Sequence, residues 1–173
     1  CLHHSRIPGG EWVNDAHSKL NRTHVTGIVR PNDPEAIQRL LRRGHALSVC
    51  GGRHAMGGQQ FGAASWLVDT TSMNKVLNFD QEKGLLEVEA GIQWPKVLRY
   101  LEESQEDTVK SWGFAQKQTG ADKLTLGGAL SANAHGRGLR FQPFVQDVES
   151  LKLINAGGKI VDCSRTRNQD LFR

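Results

Sequence analysis

Between residues 47 and 60 the sequence reads LSVCGGRHAMGGQQ, an apolar stretch running into a segment with glycine at 51, 52, 57 and 58 and one histidine, His54, among them. Glycine has no Cβ and reaches positive φ without steric penalty, so successive backbone N–H groups can turn toward a single anion. Such a loop suits a phosphate or pyrophosphate. A glycine-rich surface turn between two strands is the competing reading, and the loop by itself leaves both open. The imidazole is the unusual part, because most cradles place a hydroxyl or another glycine there. A second stretch, TLGGALSANAHGRG from Thr125 to Gly138, sets Gly127 and Gly128 ahead of Ala129, Ser131, Ala132 and Ala134. Residues this small suit a short helix approached closely by another backbone or by a flat ligand, and its N-terminus would attract phosphate. Close packing of two elements through small side chains accounts for the same pattern equally well.

Both stretches need elements to hold them. HVTGIVR, from His24 to Arg30, predicts a strand closed by Pro31. Asp33 then offers an N-cap with Pro34 at the first helical position, and Ile37, Leu40 and Leu41 recur at helical spacing until Gly44 stops the helix. Ala46 to Cys50 is the next strand. This β-α-β start suits a parallel pair joined by a right-handed crossover. Trp66 to Asp69 reads as a short buried strand, and Val76 to Phe79 with Leu85 to Val88 as a hairpin. Trp94-Pro95 opens a helix whose Val97, Leu98 and Leu101 share one face, with a solvated acidic end from Glu102 to Asp107. Phe144 to Ile154 and Lys159 to Cys163 flank NAGG as a second hairpin, and Asn168 caps a terminal helix. Residues 1–23 read as an irregular N-terminal arm and 24–173 as one domain. That domain has a first part, 24–107, carrying the glycine loop 50–60, and a second part, 108–173.

Composition narrows the function classes. With 173 residues, 38% hydrophobic and 23% charged, the chain is long and apolar enough to fold around a core. Its net charge of +4 comes from basic residues dispersed among acids, with 6% aromatic content and no basic stripe, so nucleic acid is not an expected partner. Cys1, Cys50 and Cys163 lack C-x-x-C spacing and read as free thiols, two of them in strands. His3 and His4 have no ligand-spaced carboxylate or thiol, so no metal site is expected. No apolar run reaches the length of a membrane span and no signal h-region is seen, which leaves the compartment open, with the cytoplasm as the default.

A dinucleotide-binding Rossmann unit does not fit, because no G-x-G-x-x-G lies on a strand-to-helix turn with an acid about twenty residues later. Instead, the order of VRPNDPEAIQ, VCGGRHAMGGQ, LVDTTSMNKV, VEAGIQWPKVLRYL, TLGGALSANAHGRG and DVESLKLINAGGKIVDCS resembles the FAD-binding domain of the vanillyl-alcohol oxidase flavoprotein superfamily, also called the p-cresol methylhydroxylase type. The likeness spans residues 25–173 and rests on the combination and order of these segments. It implies an α+β fold in which a small βαβ-type subdomain precedes a second, mixed or antiparallel sheet subdomain with flanking helices. It also implies FAD as cofactor.

In that family the first cradle binds the FAD pyrophosphate, so the resemblance gives this role to Gly51, Gly52, Arg53, His54, Ala55, Met56 and Gly57, and gives Gln60 a hydrogen bond to the flavin. His54 stands where many members carry the histidine bonded to the flavin 8α-methyl, which implies covalent FAD; an unlinked histidine lining the site is the alternative. Thr119, Gly120, Thr125, Leu126, Gly128, Ala129, Ser131 and Asn133 resemble the segment around the pyrophosphate and the flavin edge. His135 and Gly136 then lie near the flavin, and Ile160 and Val161 match a strand whose backbone contacts the cofactor. NDAHSKLN, residues 14–21, is similar to sequence preceding this domain in bacterial members.

The resemblance implies no catalytic acid or base in this chain. The family's substrate domain, which supplies most of that chemistry, follows a DLF segment and is missing here, so the chain looks like an FAD-binding domain cut short. The implied activity is hydride transfer from a CH–OH donor such as an alcohol, sugar or lactone to flavin N5, with a separate electron acceptor. A noncovalent FAD dehydrogenase of the 2-hydroxy-acid type and a catalytically incompetent nucleotide-binding module are the alternatives.

Overall fold

The computed structural model describes residues 9–106, 109–117, 120, 122–136, 138 and 140–172. Strand β1 (Glu11–Val13) pairs antiparallel with β2 (Thr23–Val25), so the segment expected to be an irregular arm is folded from Glu11 onward. The single strand expected over 24–30 is two: the chain leaves the β1–β2 pair at Thr26 and enters a different sheet as β3 (Gly27–Val29). Gly27 permits the switch, because the Trp66 ring lies 2.6 Å from where a Cβ would stand.

Helix α1 (Pro34–Arg42) begins as its sequence demands. The Asp33 carboxylate accepts from the Ala36 N–H at 2.7 Å, Pro34 fills the first turn, and Gly44 leaves the helix at φ +68°. It leads to β4 (Leu47–Cys50), which is parallel to β3 but not beside it. Strand β5 (Trp66–Asp69) sits between the two, parallel to both, so the adjacent pair expected from the β-α-β start is opened by an insertion. Burial explains the order. Leu67, Val68 and Asp69 of β5 are buried, whereas Val49 of β4 is 58% exposed, and the most apolar strand takes the centre of a parallel sheet.

The hairpin of β6 (Val76–Asp80) and β7 (Leu85–Val88) turns through Gly84 at φ +65°. Helix α2 (Trp94–Glu103) buries Trp94, Val97 and Leu101, spaced i, i+3, i+7; Leu98, expected on that face, is 42% exposed. After α3 (Leu126–Ser131), the segment Phe144–Asp147 is a 3-10 turn instead of the start of a strand. Phe144 is drawn inward against Trp94, ring centroids 5.5 Å apart, and its N–H donates to the Ala134 carbonyl. Strands β8 (Ser150–Ile154) and β9 (Ile160–Ser164) then form the expected antiparallel pair, and α4 (Gln169–Phe172) follows.

The fold is therefore α+β: one three-stranded parallel sheet and three two-stranded antiparallel sheets among the described residues. Two apolar clusters hold it. Val13, Val25, Cys50 and Leu67 join the β1–β2 pair to the parallel sheet, while Ile92, Trp94, Val97 and Leu126 join α2 to α3, with Phe114 and Phe144 packed alongside. The second cluster thus combines residues from both sides of position 107. Cys50 and Cys163 are buried free thiols. No described helix is long and apolar enough to cross a membrane.

Candidate functional site

The glycine loop leaves the end of β4 and lies against the start of α3. A Cβ on Gly51 would stand 2.0 Å from the Thr125 Oγ1, and one on Gly52 would stand 2.5 Å from the Lys123 carbonyl. The two glycine-rich stretches of the sequence are thus in contact, and only glycine fits at the joint. Among the described residues, no backbone N–H from Gly51 to Gly57 donates to a protein acceptor within hydrogen-bond geometry. Residues 51–57 are half-buried or exposed, and seven such amides in succession are an arrangement that an anion can satisfy.

The loop's carbonyls and side chains, by contrast, are tied down. Arg53, at φ +58°, occupies the left-handed region, which costs a non-glycine residue about 1–2 kcal/mol. An ion pair offsets this strain: its guanidinium Nη2 lies 3.1 Å from Asp69 Oδ2, and Arg30 Nε lies 3.7 Å from the same oxygen. The Asp69 carboxylate is buried and also accepts from the Thr71 N–H and hydroxyl. Gln60 donates to the Ala55 carbonyl at 3.0 Å, and its Oε1 is buried without a partner. Cys50, at the base of the loop, has its thiol pushed up by burial and then by the Asp69 charge.

The second stretch is built differently. Thr125 is buried and caps α3, its hydroxyl accepting from the Gly128 N–H at 3.2 Å. The Leu126 and Gly127 amides donate to the Ile92 and Ala90 carbonyls, and the Ala129 amide to the Thr125 carbonyl. The helix N-terminus expected to attract phosphate therefore has its first amides committed within the protein. Gly127 serves packing, since a Cβ there would lie 2.8 Å from the Ala90 Cβ. Leu126 and Ala129 face the core, whereas Gly128, Ser131, Asn133 and His135 are exposed. His135 Nδ1 is 3.0 Å from the Gly136 carbonyl. Beneath this stretch a cavity of about 10 Å³, the size of one water, is bounded by Trp94, Gln116, Ala134 and His135, and both Trp94 Nε1 and Gln116 Oε1 are buried and unpartnered.

His54 is half-buried, and its Nδ1 lies 2.8 Å from Nε2 of His17. Burial lowers its pKa, the neighbouring His17 charge lowers it further, and a hydrogen bond to the Lys123 backbone opposes both. Burial and His17 thus favour the neutral imidazole, which carries a lone pair on one nitrogen.

Of the other residues singled out from sequence, Gly120 is exposed at φ +79° and Thr119 lies outside the described residues, as do Cys1, His3 and His4. Ile160 and Val161 lie in β9 opposite Ile154 and Leu153, and among the described residues no hydrogen bond or ring contact ties them to the glycine loop. Sequence reasoning did not assign roles to Asp15, His17, Asn21, Asp69 and Lys123, which frame the loop. Only NDAHSKLN carried a signal for the first three, as an Asx-type turn with polar residues at close spacing.

A family described as "FAD binding domain" matches residues 25–164. The chain is 26% identical, over 99% of its length, to L-galactono-1,4-lactone dehydrogenase 2, mitochondrial, of Oryza sativa subsp. japonica, and covers 30% of that protein. It is 30% identical over 62% of its length to L-galactono-1,4-lactone dehydrogenase, mitochondrial, of Arabidopsis thaliana, covering 17% of it. A Mycobacterium tuberculosis protein, L-gulono-1,4-lactone dehydrogenase, is 29% identical over 80% of the chain, which covers 32% of that relative. The chain thus spans a third or less of the length of these relatives.

Proposed function

The chain belongs to the FAD binding domain family, and on that premise we propose that it is the FAD-holding part of a flavin-dependent oxidoreductase acting on a CH–OH donor, with a 1,4-lactone the favoured class. The observation that carries the proposal is the run of unpaired N–H groups from Gly51 to Gly57, packed against Thr125 and Lys123 through two glycines that tolerate no side chain. The relatives named above as lactone dehydrogenases support the donor class.

In this reading the backbone of Gly51, Gly52, Arg53, His54, Ala55, Met56 and Gly57 holds the pyrophosphate. Arg53 contributes through its backbone because its guanidinium is engaged by Asp69. Gln60 offers its unpartnered Oε1 to the cofactor, and the edge formed by exposed Gly128, Ser131, Asn133 and His135 with half-buried Gly136 faces the flavin. Thr125, Leu126 and Ala129 hold that edge in place from the core side. Gly120, Thr119, Ile160 and Val161 complete the set that the family likeness assigns. When bound, FAD supplies a hydride acceptor at N5 and passes the electrons to oxygen or another acceptor. No acid or base is assigned to this chain; the relatives are much longer, and the proposal places substrate selection and proton transfer in the corresponding part of the enzyme.

His54 is the proposed covalent tether. Its position in the loop and its neutral imidazole support this, since a bond to the flavin methyl requires a nitrogen lone pair. The engagement of Nδ1 by His17 favours the other reading, a histidine that lines the site unlinked.

Two experiments on the native protein test the proposal. Acid precipitation followed by visible absorbance is expected to leave yellow colour in the pellet; colour confined to the supernatant rules out the tether and leaves noncovalent FAD. Anaerobic mixing with an aldono-1,4-lactone, a sugar alcohol and a 2-hydroxy acid is expected to bleach the flavin fastest with the lactone. Bleaching by the 2-hydroxy acid alone would reassign the donor, and bleaching by none would make the protein a nucleotide-binding module.

A further inference from the structure

We propose that the turn Asn14–Asn21 is a working part of the cofactor site, with His17 as a positioning residue that fixes the ring and the proton of His54. The proposal rests on reading Gly51–Gly57 as the cofactor loop. This turn precedes the residues matched by the family, which begin at 25, yet Ala16, His17 and Asn21 each bond to the loop.

The turn is rigid for a reason visible in its own residues. Asp15 is buried, and its carboxylate accepts from the His17 N–H at 3.0 Å, the Ser18 N–H at 2.6 Å, the Ser18 hydroxyl at 2.9 Å, the Lys19 N–H at 3.2 Å and Asn21 Nδ2 at 3.0 Å. Burial works to raise its pKa but is outweighed by the Asn21 and Ser18 side chains and the Lys19 and Ser18 amides, which hold the carboxyl far below its usual range. Asn14 Oδ1 closes the turn by accepting from the Asp15 and Asn21 N–H groups.

From this base the turn grips the loop at successive points. The Ala16 N–H donates to the Arg53 carbonyl at 2.8 Å, Asn21 Nδ2 donates to the Met56 carbonyl, and the Asn21 side chain packs where a Cβ on Gly58 would stand. With Gln60 holding the Ala55 carbonyl, three of the loop's acceptors are engaged by protein donors while its N–H groups are not. That division is what an anion site requires, because a carbonyl oxygen left beside a phosphate repels it.

His17 completes the grip. Two ring nitrogens 2.8 Å apart share one proton, so one of them must present a lone pair and the contact is broken if both rings are protonated. The charged groups that bear on His54 are His17 and Lys123. The imidazole is thereby kept neutral and oriented beside the position of the pyrophosphate.

The test is ¹⁵N NMR of the histidine rings together with amide exchange in the native protein, comparing wild type with His17→Ala, His17→Gln and Leu77→Ala, the last altering a 54% exposed residue of β6, outside both the turn and the loop. His17→Ala is expected to move the His54 titration upward toward the ordinary histidine value and to weaken FAD-induced protection of residues 51–57 by about tenfold, the order expected for losing one well-placed hydrogen bond. His17→Gln, which keeps a side-chain donor but no titratable ring, is expected to restore most of the protection while leaving the titration shifted; Leu77→Ala is expected to change neither. An unchanged His54 titration and unchanged protection in both His17 variants would overturn the proposal. If FAD fails to protect 51–57 even in wild type, the cofactor reading falls, while the ring titration still decides whether His17 positions His54.

Discussion

Two stretches of this chain, 51–58 and 125–136, look alike as sequence, each rich in glycine and small residues, yet they use those residues in opposite ways. In the first, glycine allows the chain to lie against Thr125 and Lys123 while seven consecutive N–H groups stay unpaired. In the second, glycine lets the start of α3 press against Ala90, and the amides at 126, 127, 128 and 129 are all taken up by protein oxygens. The first stretch leaves its amides without protein acceptors and rests on the second, whose own amides are spent within the protein. A glycine-rich segment therefore announces close approach, and only the fate of its amides distinguishes approach by a ligand from approach by the chain itself.

Changing Gly51, where the two stretches meet, is expected to have the largest effect. Gly51→Ala forces a Cβ to within 2.0 Å of the buried Thr125 hydroxyl, and overpacking of this kind is expected to cost about 3 kcal/mol, read as a lower Tm together with lost FAD binding. Gly127→Ala should separate the roles. It is expected to cost about 2 kcal/mol in urea unfolding through the clash with Ala90, with FAD affinity in the folded protein close to wild type. Gly57→Ala is its mirror. A Cβ there meets only the end of the flexible Gln59 side chain, so stability should shift by no more than about 0.5 kcal/mol, while FAD binding, read by flavin fluorescence, is expected to weaken by about tenfold. If Gly127→Ala were to damage binding and Gly57→Ala only stability, the comparison would be reversed.

Smaller effects refine the account. Thr125→Ala removes the cap from α3 and is expected to cost about 1 kcal/mol by thermal denaturation, without abolishing binding. The smallest expected effect concerns pH. The folded-state pKa of His54 is depressed, so the unfolded chain binds its proton more readily; the contribution of His54 is fully present above the ordinary value of 6.5 and is lost as pH falls through the lower folded value. A Tm series from pH 8 to pH 5 is expected to fall more steeply in wild type than in His54→Gln. Equal slopes would show that the ring is not held neutral by its surroundings.

Much of this was legible where the signal is local. Asp33 and Pro34 start α1 and Gly44 ends it by capping rules that need only neighbouring residues, and the NAGG turn between β8 and β9 follows for the same reason. The paired glycines of LSVCGGRHAMGGQQ mark a segment of close approach, and Gly51 and Gly52 do lie against Thr125 and Lys123; the anion it would hold belongs to the proposal. The supports were not legible, because each depends on residues that are distant in sequence. His17 reaches His54 across 37 positions and Arg53 reaches Asp69 across 16. The insertion of β5 between β3 and β4 is decided by relative burial, which no residue states alone. The N-terminus of α3 misled for a related reason, since the Ala90 and Ile92 carbonyls that occupy its amides lie in a separate segment.

The most direct measurement of the central claim is amide hydrogen exchange of the native protein with and without FAD, read residue by residue over both stretches. The account predicts that 126–129 are protected in both states, whereas 51–57 exchange rapidly without FAD and become protected with it. Protection of 51–57 that is unaffected by FAD, or FAD-dependent protection appearing at 126–129 instead, would contradict it.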